Sequence, residues 1–184
     1  MDLASLQKQL QKQLQSQTGN AAPVHLWDPP FCGDIDLRIK HDGSWHYMGT
    51  PIGRPALVRL FASVLKKEDD KYFLVTPVEK VGIHVEDVPF VITSWKQQDN
   101  LIIFTTGQGE EFVVSEQNPV ELRMDGKNDQ PLPYVLVRSN LYARLHQNVY
   151  YQLVELGEER ELANGEHHLM VNSGNYSFSL GLLD

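Results

Sequence analysis

Ile35-Asp36-Leu37-Arg38-Ile39-Lys40 is matched 85 positions later by Val120-Glu121-Leu122-Arg123-Met124-Asp125. In each run apolar and charged residues alternate, the period of a strand with one dry face. The same offset carries Arg59-Leu60 onto Arg144-Leu145 and Val64 onto Val149, inside stretches that both have helical spacing. Leu37, Arg38, Arg59, Leu60 and Val64 are identical to their partners, where ordinary usage gives about two matches by chance over such a length. The order of elements agrees as well: strand, turn, second extended segment, helix, strand pair. The chain therefore predicts an internal duplication, and a duplicated unit predicts a seam where a ligand can sit.

Working outward, Pro55 suits a first helical turn, and Leu57, Leu60, Phe61, Val64 and Leu65 form one stripe of a helix over 55–67. Leu141, Leu145, Val149 and Leu153 form the stripe of a second helix over 140–156. After it the register slips by ten, with the insertion at 156–165, so that Val81, Ile83 and Val85 meet Tyr176, Phe178 and Leu180. Strands are predicted at 72–75, 81–86, 89–95, 101–106, 111–115 and 120–124, with turns at Asp99-Asn100, Gly107-Gln108-Gly109 and Asp125-Gly126. Short consecutive strands favour antiparallel, partly closed sheets, and no βαβ crossover of a doubly wound nucleotide fold is visible. The fold class is α+β, a duplicated strand-helix-strand core with mostly antiparallel sheets and a C-terminal half forming a partly closed barrel. Residues 1–23 read as an amphipathic helix (Leu3, Leu6, Leu10, Leu14) and linker, 24–87 as the first repeat domain and 88–184 as the second.

With 184 residues, 41% of them hydrophobic, the chain can bury roughly 70% of its unfolded surface without staples. A single cysteine, Cys32, excludes an internal disulfide and fits a reducing compartment. No apolar run with a basic flank opens the sequence, and no eighteen apolar residues follow one another, so the expected location is the cytoplasm. A net charge of −8 argues against duplex DNA and anionic bilayers, which need a basic face. It leaves room for a small anion held by a few arginines.

Several residues carry chemistry, each with a plainer reading beside it. Arg59 and Arg144 fall opposite their apolar stripes, as solvated arginines or as cations aimed at the other half or a ligand. Thr76-Pro77-Val78-Glu79-Lys80 is either a plain turn or a stiff loop displaying Thr76, Glu79 and Lys80. Trp45 and Tyr47 share a strand face, for core packing or for stacking on a base. Cys32 reads as a buried or half-buried structural thiol. The seven histidines lack convergent metal spacing: His41 and His46 flank a turn, His167 and His168 face oppositely, and His84 is a surface strand residue. Asp34 and Asp36 with Arg38, and Glu121 with Arg123, read as charge ladders. Gly107-Gln108-Gly109 joins strands and opens no helix, so it is a hairpin turn and not a phosphate loop.

Trp27-Asp28-Pro29-Pro30, Cys32-Gly33-Asp34-Ile35-Asp36, Asp42-Gly43-Ser44-Trp45, Gly49-Thr50-Pro51-Ile52, Leu57-Val58-Arg59-Leu60-Phe61, Thr76-Pro77-Val78-Glu79-Lys80 and Val85-Glu86-Asp87-Val88-Pro89-Phe90, in that order, resemble the bacterial family called domain of unknown function 1285. The resemblance runs from about Val24 over nearly the whole chain. It implies a duplicated core, a C-terminal half loosely similar to pleckstrin-homology-like folds, a pocket between halves, a nucleotide-type ligand and a role in signal transduction. It carries no catalytic residues. The functional expectation is a noncatalytic module binding a small nucleotide-like or anionic molecule between its halves, with no metal. Arg54, Arg59 and Arg144 supply charge-assisted hydrogen bonds, Lys80 a point charge, and Trp45 or Tyr47 a stacking surface. Two alternatives stand beside it, a protein–protein interaction module and a hydrolase acting on a phosphorylated metabolite.

Overall fold

The computed structural model describes residues 3–14 and 21–184. It divides into two units, Met1–Asp87 and Val88–Asp184. The first contains α1 (Leu3–Leu14), a single 3-10 turn (Val24–Leu26), β1 (Phe31–Ile39), β2 (Trp45–Tyr47), β3 (Thr50–Pro51), α2 (Pro55–Ala62), β4 (Leu65–Glu68), β5 (Lys71–Val75) and β6 (Lys80–Val85). One six-stranded sheet runs β3-β2-β1-β6-β5-β4, antiparallel throughout except where β1 lies parallel to β6 at its centre.

Alternation in β1 buries Leu37 and Ile39 and turns Arg38 and Lys40 outward. Against the buried face packs α2, through Leu57 and Phe61, with Trp45 stacked on the Phe61 ring at 6.4 Å and 25°. The N-terminal helix α1 docks on α2 with Leu6 and Leu10 buried. A twelve-residue helix is marginal alone in water and needs such a partner. The predicted glutamine-rich segment continues through 15–20, which, like the side chain of Leu14, lies outside the described residues.

The helix predicted over 55–67 stops at Ala62. Ser63 Oγ donates to the Leu60 carbonyl at 2.6 Å, a local bond that competes with helix continuation. Val64 and Leu65 stay buried but enter strand pairing, Leu65 opposite Leu74. On the other sheet face β1 bulges twice against β6, and the Asp34 carboxylate lies so close over Gly82 that a Cβ there would collide with it.

The second unit contains β7 (Phe90–Gln98), β8 (Leu101–Thr106), β9 (Glu111–Val113), β10 (Val120–Arg123), β11 (Leu132–Arg138), β12 (Leu141–Leu145), α3 (Gln147–Val154), β13 (Glu158–Glu161), β14 (His167–Ser173) and β15 (Tyr176–Leu183). Its strands form a six-stranded sheet, β10-β11-β12-β7-β8-β9, and a three-stranded one, β13-β14-β15. Asp99 and Asn100 both take positive φ, 51° and 65°, in the two-residue turn between β7 and β8. Phe104 and Phe178 meet edge to face at 6.4 Å, Ser173 Oγ accepts from Ile102 N–H at 2.9 Å, and the Tyr176 hydroxyl accepts from Val120 N–H at 2.9 Å. These contacts join the two sheets into a partly closed barrel, one sheet curling as a half-barrel.

The helix predicted over 140–156 is two elements. Leu141, Ala143 and Leu145 are the buried face of β12, and only Val149 and Leu153 belong to α3. A spacing of four residues is two strand repeats and also about one helical turn, so Leu141 and Leu145 satisfied both periods. The helix begins after His146, whose ring nitrogen accepts from Asn148 N–H at 3.1 Å. Histidine in that capping place gives little sequence signal.

The duplication is real and its register differs from the constant offset. Both β1 to β6 and β10 to β15 read three strands, a helix, three strands. The helices start at Pro55 and Gln147, a displacement of 92, so most of the slip precedes the helix. The position of Arg59 on α2 is therefore that of Tyr151 on α3, and Arg144 lies on a strand. The six-stranded sheets share one strand order, with the first and last strands of each parallel at its middle, but that likeness sets β7–β12 beside β1–β6 and is separate from the repeat centred on the helices.

Candidate functional site

Among the described residues, three of the cavities bear on the candidate site. In the C-terminal unit a cavity of about 320 Å³ is walled by Arg144 and Leu145 of β12, Gln147, Tyr150 and Tyr151 at the start of α3, Leu132 and Pro133 of β11, and Asn128. The strand–helix corner at His146 positions it. Arg144 shares a β12 face with Tyr142, opposite the buried face, while Tyr150 and Tyr151 pack ring edge to ring face at 5.7 Å. Burial pushes the Tyr150 phenol above its ordinary pKa, with the neighbouring Tyr151 adding to the effect. Asn128 is held by Asp125, whose carboxylate accepts from the Asn128 backbone and side-chain amides at 2.9 Å each. The lining holds one guanidinium, two phenols and two carboxamides, and no carboxylate.

In the N-terminal unit a larger cavity of about 570 Å³ lies over β1, β5 and β6, lined by Phe31, Asp34, Asp70, Lys71, Phe73, Lys80 and His84 among others. Its charges are mixed in sign. Phe31, 54% exposed, meets Phe73 edge to face at 5.9 Å. A third cavity, about 400 Å³, is bordered by Asp36, Arg38, Lys40, His46, Gly49 and Glu86.

The residues singled out from sequence are distributed unevenly. Arg144 lines the C-terminal cavity. Arg59 is exposed on α2, on the side away from Leu57 and Phe61, and Arg54 is exposed at the position preceding the helix, with no side-chain cap bond. Trp45 is only 3% exposed and its ring packs on Phe61, so it is a core residue with no face left for a base. Tyr47 is half-buried on β2. The turn at Pro77 does not display Thr76, which is fully buried. Its hydroxyl accepts from Glu79 N–H at 3.0 Å and Val78 N–H at 3.3 Å, an internal turn clamp. Glu79 is half-buried, with Oε2 shielded and without a protein hydrogen-bond partner.

Lys80 lines the 570 Å³ cavity and is already neutralised, at 3.0 Å from Glu68 and 4.9 Å above the Phe73 ring. Its hydrogen bond, followed by that of Lys66, holds the Glu68 carboxyl below the usual range. A depressed carboxylate pKa stabilises the fold above the unfolded value of 4.5, and that stability is lost as pH falls through the folded value. Glu68→Gln is therefore expected to flatten the acid limb of the stability–pH curve, measured by urea unfolding on both sides of pH 4.5. An unchanged limb would remove this pair from the acid response.

Other sequence expectations are settled by position. Cys32 is exposed, its thiol donating to the Pro30 carbonyl at 3.3 Å, and is not the buried thiol expected; β1 begins at an exposed end, where Phe31 and Cys32 both face solvent. Among the described residues no group of three His, Cys, Asp or Glu side chains is placed to hold a metal ion. Glu121 does pair with Arg123.

Buried His168 has Nδ1 at 2.7 Å from Ser179 Oγ and Nε2 at 3.0 Å from Glu166. That serine–histidine–carboxylate order is one nucleophilic enzymes use. Here Gly181 N–H points at the hydroxyl itself, at 3.1 Å, the residues lie within a strand ladder, and none of the three cavities touches them. The chain of bonds ties the turn before β14 to the bulge in β15.

Two α+β units, each built around a six-stranded sheet, define a duplicated two-domain α+β fold. The chain belongs to the DUF1285 family. Its residues 22–88 match the model described as "Domain of unknown function (DUF1285), N-terminal domain", and residues 89–180 match "Protein of unknown function (DUF1285), C-terminal domain". The crystal structure of a DUF1285 family protein from Silicibacter pomeroyi DSS-3 is similar at 44% identity, with 95% of each chain covered and a TM-score of 0.79. That of a DUF1285 family protein from Shewanella baltica OS155 is similar at 31% identity over 65% of this chain and 90% of that one, with a TM-score of 0.53. No curated protein matches the chain. Among the described residues no helix is long and apolar enough to cross a membrane.

Proposed function

We propose that the chain is a noncatalytic cytoplasmic module that binds a small anionic, nucleotide-like ligand as part of a signalling response, and that the ligand sits in the C-terminal cavity. The observation that supports this reading is the lining: Arg144 for an anionic group, Tyr150 and Tyr151 for an aromatic one, and Asn128 and Gln147 for hydrogen-bonding edges, with no carboxylate to repel an anion. A volume of about 320 Å³ suits a ligand of metabolite size. The two carboxylates and the neutralised Lys80 make the 570 Å³ cavity the poorer host for an anion.

Thermal denaturation in the presence of mononucleotides tests the reading. At one hundred times its dissociation constant a ligand adds about 2.7 kcal/mol, raising the midpoint by roughly 5–10 °C for a chain of this size. Arg144→Ala is expected to weaken any such ligand by more than about tenfold, the value of one charge-assisted contact. No shift with any nucleotide, or a hit indifferent to Arg144, would sink the proposal.

A further inference from the structure

The outward face of the N-terminal sheet carries a row of cations that this function does not use. Arg38 on β1 has His46 of β2 and His84 of β6 as its direct cross-strand partners. Directly opposed residues share a sheet face, with strands about 5 Å apart. Lys40 lies two residues further on, just past the end of β1, exposed and at the same recess. Arg38, Lys40 and His46 border the 400 Å³ cavity, and His84 borders the 570 Å³ one.

Among the described residues neither Arg38 nor Lys40 forms an ion pair, although Asp36 and Glu86 border the same cavity. The Glu86 carboxylate is turned to the His41 amide, accepting its N–H at 2.8 Å. His46 is steadied from its own hairpin: Nε2 is 2.9 Å from Ser44 Oγ, which donates to Asp42 at 2.5 Å. Arg38, Lys40 and His46 therefore converge on one recess, with His84 beside Arg38 on β6; the carboxylates at its rim are Asp36 and Glu86, with Asp42 beside His46 and Lys40.

We infer that this row is a second anion-binding site, for a tetrahedral oxyanion such as the phosphate monoester of a small metabolite, and that it binds more tightly as its histidines gain charge. Arginine's planar fork engages two oxygens of such a group at once, and lysine adds a point charge. Histidine supplies a charge that appears only toward mildly acidic pH. The charged groups that face the two histidines are Asp34, Asp36 and Arg38 on β1, Lys40 just after it, Asp42 in the hairpin, Asp70 and Lys71 where β5 begins, Lys80 on β6, and Glu86 after β6.

Sulfate is the suitable probe because it stays a dianion across the range. Calorimetric titration of the full chain is expected to show sulfate binding about tenfold more tightly near pH 5.5 than near pH 8, the two sides of the ordinary histidine range. Arg38→Ala abolishes binding at both values. The double variant His46→Gln, His84→Gln keeps the weaker binding and loses its pH dependence, and Asp36→Asn strengthens it. Arg144→Ala leaves sulfate binding here unchanged, which separates this site from the C-terminal one. Glycerol phosphate displaces the sulfate. Asp36, Arg38 and His84 are exposed and His46 is half-buried, so unaltered circular dichroism is expected to accompany each change. Equal affinity at both pH values, retention of binding in Arg38→Ala, or failure of glycerol phosphate to compete would overturn the assignment.

Discussion

Replacing Phe61 with alanine is expected to lower the unfolding free energy by about 3–5 kcal/mol, the range for removing a buried aromatic side chain. The ring is fully buried where α2 meets the sheet and stacks on Trp45 of β2. The helix that carries it is also the platform for α1. Removing the ring therefore opens a void under two helices and strips a partner from a second aromatic side chain. A cavity of that size stays costly because its lining belongs to sheet and helix backbones that cannot both collapse inward. Urea unfolding followed by tryptophan fluorescence and by circular dichroism measures the loss. A change below about 1 kcal/mol would mean that the void collapses freely, against close packing at this site.

Phe104→Ala is expected to cost a similar amount, about 3–5 kcal/mol, for a different reason. Phe104 on β8 is fully buried and touches two rings edge to face, Phe112 of the same sheet at 6.2 Å and Phe178 of the three-stranded sheet at 6.4 Å. Such pairs add about 0.5–1.5 kcal/mol each beyond area burial. Phe104 is one of the side chains through which one sheet grips the other, beside Ser173 and Tyr176. Amide exchange should accelerate in 176–183 as well as in 101–106, because β15 loses its packing partner across the barrel. Acceleration confined to 101–106 would mean that the sheets hold together without the aromatic contact.

Several strands of the second unit were legible. Leu101–Thr106 matches the predicted bounds, and Glu111–Val113 and Val120–Arg123 fall inside theirs, because alternation and turn residues point the same way. The misreadings came where one spacing serves two periods. Leu141 and Leu145 fit a helix and a strand equally, and Val64 and Leu65 continue a helical stripe although Ser63 has already ended it. Only long-range pairing, β12 beside β7 and β4 beside β5, decides these cases, and pairing partners are not written locally.

The candidate site was partly readable. Arg144 was picked out for a mistaken reason, as the twin of Arg59 on a helix, yet it does line a cavity. Tyr150 and Tyr151 were missed because their value depends on the corner at His146, which turns the start of α3 toward Arg144. Trp45 was offered as a stacking surface and belongs to the core, as its alternation with half-buried His46 allowed. The row of His46, Arg38 and His84 draws on three strands, and its members stand eight and forty-six positions from Arg38 in sequence. No spacing rule reaches that far.

The parallel pairing of first and last strands has a consequence for synthesis. Residues 31–39 meet their central neighbour only after 80–85 have emerged from the ribosome, and 90–92 wait likewise for 143–145. Each nascent sheet is left with an open middle until its final strand arrives, and closure of such distant contacts is slow, in the millisecond-to-second range. A chain stalled just before residue 80 or residue 141 would expose the open edge of a central strand, β1 or β7, paired only on its other side, as an adhesive surface.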